Sequence, residues 1–149
     1  MKKIMFLLVA FVALNANAQK LERGYAGSVE AGGLTHFDYT WFNLSSTHGF
    51  QFDKRWFVGG GASLMLNEAC FGNIYAAGRC YSTRIKSSKW TPYGEVRFGV
   101  EFGDIKTQCF LEPSAGVRYT MSDKMALSAR LGWYFDGGSG LSFTAGIHF

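Results

Sequence analysis

From residue 23 onward, apolar and polar positions alternate with period two in eight runs, separated by short polar or glycine-containing gaps. The last run is the plainest. Leu141, Phe143, Ala145, Ile147 and Phe149 share one face, and Ser142, Thr144, Gly146 and His148 the other. Successive side chains of a strand point to opposite sides, so the run predicts a strand with one apolar and one small or polar face. The fifth run sets Pro92, Gly94, Val96, Phe98, Val100 and Phe102 against Tyr93, Glu95, Arg97, Gly99 and Glu101. The seventh sets Met125, Leu127, Ala129, Leu131, Trp133 and Phe135 against Ala126, Ser128, Arg130, Gly132 and Tyr134. The sixth puts Leu111, Ala115, Val117 and Tyr119 opposite Glu112, Ser114, Gly116 and Arg118, and the third aligns Val58, Gly60, Ala62, Leu64 and Leu66. Helical spacing fits these segments less well. The predicted strands lie near 23–33, 44–52, 56–66, 74–82, 92–102, 108–120, 124–135 and 141–149.

Strands of ~9–11 residues are long enough to cross a bilayer at a tilt. Lipid cannot satisfy the polar edge of an open sheet, so a spanning sheet has to close on itself. The expected fold is therefore all-β, an eight-stranded antiparallel up-and-down transmembrane β-barrel. With an even strand count both chain ends lie on the inner side. Residues 53–55, 83–90 and 121–123 then form inner turns, and 34–43, 67–73, 103–107 and 136–140 form outer loops, the first of them the longest and rich in aromatics. Aromatics collect near the strand ends, as two interfacial girdles require. Tyr25, Phe52, Trp56, Trp90, Tyr119 and Phe149 would mark the inner girdle, and Trp41, Phe42, Phe102, Trp133, Phe135 and Phe143 the outer one. The second run is less regular, because Leu44, Phe50 and Phe52 share a face with Ser46 and His48. A bulge there would shift the register. Pro92 and Pro113 lack the N–H of a ladder donor, and a bulge or strand start is expected at each.

The N-terminus sets the compartment. Lys2 and Lys3 precede an apolar run from Ile4 to Leu14, and Ala16-Asn17-Ala18 is a small-x-small cleavage site. This is the layout of a secretory signal peptide, and the apolar run is too short for a spanning helix. Residues 1–18 are read as signal peptide and 19–149 as one barrel domain, exported and placed in a bacterial outer membrane. No cysteine follows the cleavage site, which argues against a lipid anchor. Without Lys2 and Lys3 the 15 basic residues fall to 13 against 11 acidic ones, a net charge near +2. That balance, without a basic run, argues against nucleic acid as a partner. Fourteen Phe, seven Tyr, four Trp and 19 Gly fit short barrel strands.

Inward-facing charges form the main constellation. Glu30, Glu95, Glu101 and Glu112 balance Arg79, Arg97, Arg118 and Arg130. An eight-stranded barrel is wide enough only for its own side chains, and charges buried there must be paired. The residues are read as a structural plug rather than an ion path, with Arg97 opposite or diagonal to Glu112. His36, Asp38, Asp104, Asp136 and Ser139 could meet above the outer rim, where a nucleophile, base and orienting acid would make a lipid-modifying enzyme. Such residues are also what any polar loop carries, and no catalytic residue is assigned. His48 and His148 are isolated, no cluster has metal-ligand spacing, and no cofactor or metal is expected. Gly59-Gly60-Gly61 lies within a strand and reads as a curvature or close-packing device. Cys80 falls on the apolar face, while Cys70 and Cys109 reach one rim, a placement that allows a disulfide.

Arg79-Cys-Tyr81, Ser88-Lys-Trp-Thr-Pro-Tyr93, Pro113-Ser-Ala-Gly-Val-Arg118, Ser122-Asp-Lys124 and Gly146-Ile-His-Phe149 resemble the small outer-membrane-protein β-barrel domain family, which is porin-like in fold. His48-Gly-Phe-Gln-Phe52 and Gly59-Gly-Gly61 are similar too. The resemblance implies an outer-membrane barrel, with Phe149 as an assembly signal read by the barrel-assembly machinery. It implies no reaction. The expected role is non-enzymatic, structural in the envelope or in surface interaction, with outer-membrane lipids as surroundings and a sealed lumen. A lipid-modifying enzyme and a narrow pore are the alternatives.

Overall fold

The computed structural model describes residues 23–36, 39–67, 70–82, 89–103, 107–122 and 125–149. Residues 1–18, read above as a signal peptide, and the residues Asp38 and Asp104 of the expected rim cluster lie outside them. Eight strands follow in chain order: β1 (Gly24–His36), β2 (Tyr39–Gln51), β3 (Trp56–Leu66), β4 (Cys70–Tyr81), β5 (Trp90–Phe102), β6 (Thr107–Thr120), β7 (Ala126–Phe135) and β8 (Ser139–His148). Each pairs antiparallel with the next, and β1 pairs with β8, which closes the barrel. Closure leaves no unpaired edge. Past the last strand, Gly27 N–H donates to Phe149 O at 2.7 Å and Phe149 N–H to Gly27 O at 2.9 Å, extending the seam.

Alternation decides which side chain goes where. The outer wall carries Val58, Leu64, Ile74, Val96, Phe98, Leu131 and Phe143, all exposed. Tyr25, Phe52, Trp56 and Trp90 ring the end that holds the termini, and Phe42, Phe102, Trp133 and Phe135 the far end. Trp41 departs from the expected girdle. Its neighbour Asn43 faces inward, and two-residue periodicity turns Trp41 inward with it, onto Phe71 at 5.0 Å between ring centroids.

Other expectations are corrected by the register. β1 and β2 continue to His36 and Tyr39, which face each other, so most of 34–43 is strand rather than a long loop. No bulge interrupts β2: its pairing with β1 and with β3 is unbroken, and Ser46 and His48 face outward among apolar residues. Pro113 does not bulge either. The β6–β7 ladder skips the pairs between Leu111↔Phe135 and Ser114↔Gly132 and resumes in the same register, as a missing N–H without an inserted residue should produce. Pro92 lies inside β5, paired with Val117.

Cys70 and Cys109 are free thiols, and the bridge is not made. Cys109 aligns with Val100, and Val100 with Ile74, so the two cysteines are two strands and four residues apart. At ~4.8 Å per strand and ~3.3 Å per residue, that exceeds the ~7 Å Cα limit of a disulfide. Thiol titration of the unfolded, unreduced mature protein should count three, with equal mobility on reducing and nonreducing gels. A count of one would refute this register.

Candidate functional site in the lumen

The lumen is built in three layers, each from the inward residues of several strands. At the far end Leu34, Met65, Tyr75, Ala77, Phe110 and Tyr134 form one apolar cluster. Phe110 and Tyr134 stack at 4.9 Å with rings 17° from parallel. At the terminal end Phe57, Tyr81 and Tyr93 form another. Inward glycines make room for these rings. A Cβ at Gly61 would lie 2.7 Å from both Cζ and the hydroxyl of Tyr75, and one at Gly116 would lie 2.7 Å from Tyr93 Cζ. Of the glycine triplet, then, Gly59 and Gly61 are inward packing devices.

The middle layer is ionic. All eight inward charges of the sequence, Glu30, Arg79, Glu95, Arg97, Glu101, Glu112, Arg118 and Arg130, are buried. Arg97 Nε lies 2.6 Å from Glu95 Oε1, and its Nη2 lies 2.8 Å from Glu30 Oε2. Arg79 Nε donates to the other Glu95 oxygen, and Arg79 Nη2 lies 3.6 Å from Glu30 Oε1. Arg130 Nη1 donates to Glu112 Oε1 at 2.9 Å and to Ser114 Oγ at 3.1 Å, and its Nη2 lies 3.3 Å from Glu30 Oε2. Glu30 and Glu95 thus each bridge two or more guanidiniums, whose planar forks suit carboxylates. Hydroxyls complete the shell. Thr144 donates to Glu30 at 3.2 Å and Ser142 to Glu112 at 2.5 Å. His148 joins Arg79 Nη1 at 3.0 Å and Ser128 Oγ at 2.9 Å.

The aromatic layers meet the ionic one. The Arg79 guanidinium carbon stands 5.1 Å from the Phe57 ring centre and 5.2 Å from that of Tyr93, and Arg97 stands 4.9 Å from Tyr75. Cations over ring faces are attracted to them, the more so away from water. Tyr134 O–H donates to Glu101 at 2.8 Å, tying the far layer to the charges. A void of about 10 Å³ borders Arg97, Tyr75 and Glu112.

Arg97 and Glu112 are direct register partners, yet their ion pairs go elsewhere. Guanidiniums reach across the lumen, so chain neighbours need not be partners. Sequence reading also misses the inward rings of Phe57, Tyr75, Tyr81 and Phe110. The signal was available in their parity, since Tyr75 and Tyr81 alternate in step with Arg79, and Phe110 with Glu112.

The rim residues within the described part of the chain sit at the hairpin end of β1, β7 and β8. His36 ends β1 opposite Gly140, and Ser139 opens β8 opposite Phe135. The Asp136 carboxylate accepts from Gly138 N–H at 3.2 Å and Gln108 Nε2 at 3.4 Å. At the opposite end Asp53 Oδ1 accepts from the N–H of Arg55 at 2.7 Å and of Trp56 at 2.8 Å. Those two bonds, made to the charged form, hold the Asp53 carboxyl below its ordinary pKa and close the β2–β3 turn. Gly137, with φ of 101°, turns β7 into β8 in a conformation that favours glycine.

No protein-family model matches the chain, and no curated protein matches it. Solved structures do. A de novo designed transmembrane β-barrel is 17% identical with a TM-score of 0.65, covering 89% of this chain and 98% of its own. The N-terminal β-barrel domain of Pseudomonas aeruginosa OprF is 12% identical with a TM-score of 0.65, covering 86% of this chain and 100% of its own. Neisserial surface protein A is 12% identical with a TM-score of 0.63, covering 83% of this chain and 94% of its own. At such identities the likeness is one of fold. With its closed sheet, apolar outer wall and filled interior, this chain has the fold of the small eight-stranded outer-membrane barrels.

Proposed function

We propose that this is a small integral protein of a bacterial outer membrane, exported through a signal peptide over residues 1–18, non-enzymatic, with a lumen closed to ions. Its role would be structural in the envelope, or in surface interaction through the hairpin end of the barrel. The observation that carries the reading is the paired ionic layer held between two aromatic layers. A conducting path needs water beside its charges. Here Arg79, Arg97 and Arg130 are paired with Glu30, Glu95 and Glu112, and rings lie over the first two guanidiniums. The outer wall supports the membrane placement, because a soluble domain does not expose so continuous an apolar belt. A fold neighbour named as a surface protein is in keeping with surface presentation. Membrane lipids and the barrel-assembly machinery are the partners this implies.

The wild-type barrel in a planar bilayer should give no steady single-channel current. Insertion is verified separately by heat-modifiable mobility and by protease resistance in vesicles. A stable, ion-selective conductance would overturn the closed lumen and promote the narrow pore.

A further inference from the structure

Ser46 and His48 stand outward between Leu44 and Phe50, on a wall otherwise covered by apolar side chains. They are joined to a third group. Ser46 Oγ lies 2.8 Å from His48 Nε2, and the Tyr25 hydroxyl lies 2.5 Å from His48 Nδ1. A neutral imidazole has one N–H and one lone pair. If Tyr25 donates to Nδ1, then Nε2–H donates to Ser46, whose own O–H is unspent. In the other tautomer Ser46 donates, Nδ1–H donates to Tyr25, and the Tyr25 O–H is unspent. A protonated ring leaves both hydroxyls unspent. Every state leaves at least one donor that the trio cannot use. On an apolar wall an unused donor costs free energy.

Ser46 also borders a groove of about 370 Å³, lined on the same wall by Leu44, Ala62, Leu64, Ile74 and Phe102. The small outward residues Ala62 and Gly72 form its floor. Its volume is at the low end of the ~300–1,000 Å³ of ligand clefts, room for one chain rather than a bulky group. The groove runs from Ser46 toward the far end, whereas the trio lies toward the terminal end, with Tyr25 the second residue of β1.

We propose that this wall holds one glycerophospholipid, its acyl chain in the groove and its ester region accepting the hydroxyl hydrogen that Tyr25, His48 and Ser46 leave over. The inference rests on the outer-membrane reading above. With both chain ends on the periplasmic side, Tyr25 stands among the rings at the depth of inner-leaflet headgroups, and His48 and Ser46 lead from it along the wall to the groove, so the lipid comes from that leaflet. Ester and phosphate oxygens are the acceptors such a lipid offers there, and its tail is the apolar segment that must continue into the bilayer. The site holds the lipid rather than cleaving it. Tyr25, Ser46 and His48 all lie in the unbroken β1–β2 ladder, where backbone N–H groups serve the sheet, and acyl transfer would need donors converging on an oxyanion.

Native mass spectrometry of the folded mature barrel in detergent tests this, with phosphatidylethanolamine and lipopolysaccharide added in equal amounts. One retained phosphatidylethanolamine per barrel is expected. At Gly72 and Gly78 nothing lies within 4 Å of an added Cβ, so a larger side chain fits either site without moving the backbone. Gly72→Leu fills the groove and should lower retention about tenfold, while Gly78→Leu, on the same wall outside it, should leave retention unchanged. Tyr25→Phe with Ser46→Ala removes both hydroxyls and should lower it about three- to tenfold, as loss of a neutral hydrogen bond does. Equal retention by wild type and Gly72→Leu, capture of lipopolysaccharide alone, or release of free fatty acid would each overturn the proposal. A barrel that inserts into vesicles but retains no phospholipid sinks this inference only. A chain that never inserts sinks the outer-membrane reading as well.

Discussion

Replacing Arg97 by Ala should destabilise the folded barrel by about 3–5 kcal/mol, the usual cost of removing one partner from a buried ion pair. Arg97 is 1% exposed and answers Glu30 and Glu95 at once, at 2.8 and 2.6 Å. Without it two carboxylates keep their burial and lose one of the cations they share. Arg79 and Arg130 also reach Glu30, so they limit the damage rather than cancel it. Arg97→Lys should fall between, because an ammonium keeps the charge and loses the fork that spans two carboxylates. Val96→Leu is the control. Val96 is the next residue along β5 but points outward and is 49% exposed, so added bulk meets lipid or detergent, not the lumen. Urea unfolding of the protein refolded into vesicles measures all three. An Arg97→Ala midpoint equal to that of Val96→Leu would mean that the ionic layer contributes nothing to holding the barrel.

Loss of the Phe149 ring should sharply lower the amount of folded protein reaching the outer membrane, with unassembled chain degraded in the periplasm. Two roles could produce this, recognition by the assembly machinery and closure of the seam, and the structure supplies the means to separate them. The Phe149 backbone exchanges two hydrogen bonds with Gly27, and the ring packs where Gly27 has no side chain. A Cβ at Gly27 would lie 2.6 Å from Phe149 Cε2. Gly27→Val leaves the terminal aromatic intact for recognition but unseats it. Phe149→Ala leaves the backbone bonds and removes the ring. Spontaneous refolding into lipid vesicles, without the machinery, reports closure alone. If Phe149→Ala refolds as well as wild type there but fails in cells, recognition is its role. If both variants fail in vesicles, the ring is part of the seam. Wild-type levels of heat-modifiable Phe149→Ala protein in cells would remove the residue from both roles.

Patterning along the chain was enough for the number of strands, their order and, for all but the second, the face that turns inward, because a period of two is a local property. β3 was placed to the residue, and the lumen faces of the fifth, sixth and seventh segments match those of β5, β6 and β7. The buried charges were legible for the same reason, since Glu or Arg alternating with Val and Phe can face only the lumen of such a barrel. Who meets whom is settled only when the sheet closes. Cross-strand register separated Cys70 from Cys109, which a shared rim alone could not do. It carried β2 straight through Ser46 and His48, because pairing on both sides outweighs two polar residues on an apolar face, and it thereby brought Tyr25 to His48. Ion pairing was set by reach across the lumen: Arg97 sits opposite Glu112 in the sheet and bonds Glu30 on β1. Local patterning fixes the direction of a side chain. Its partner depends on distance through the interior, which exists only once β1 has closed on β8.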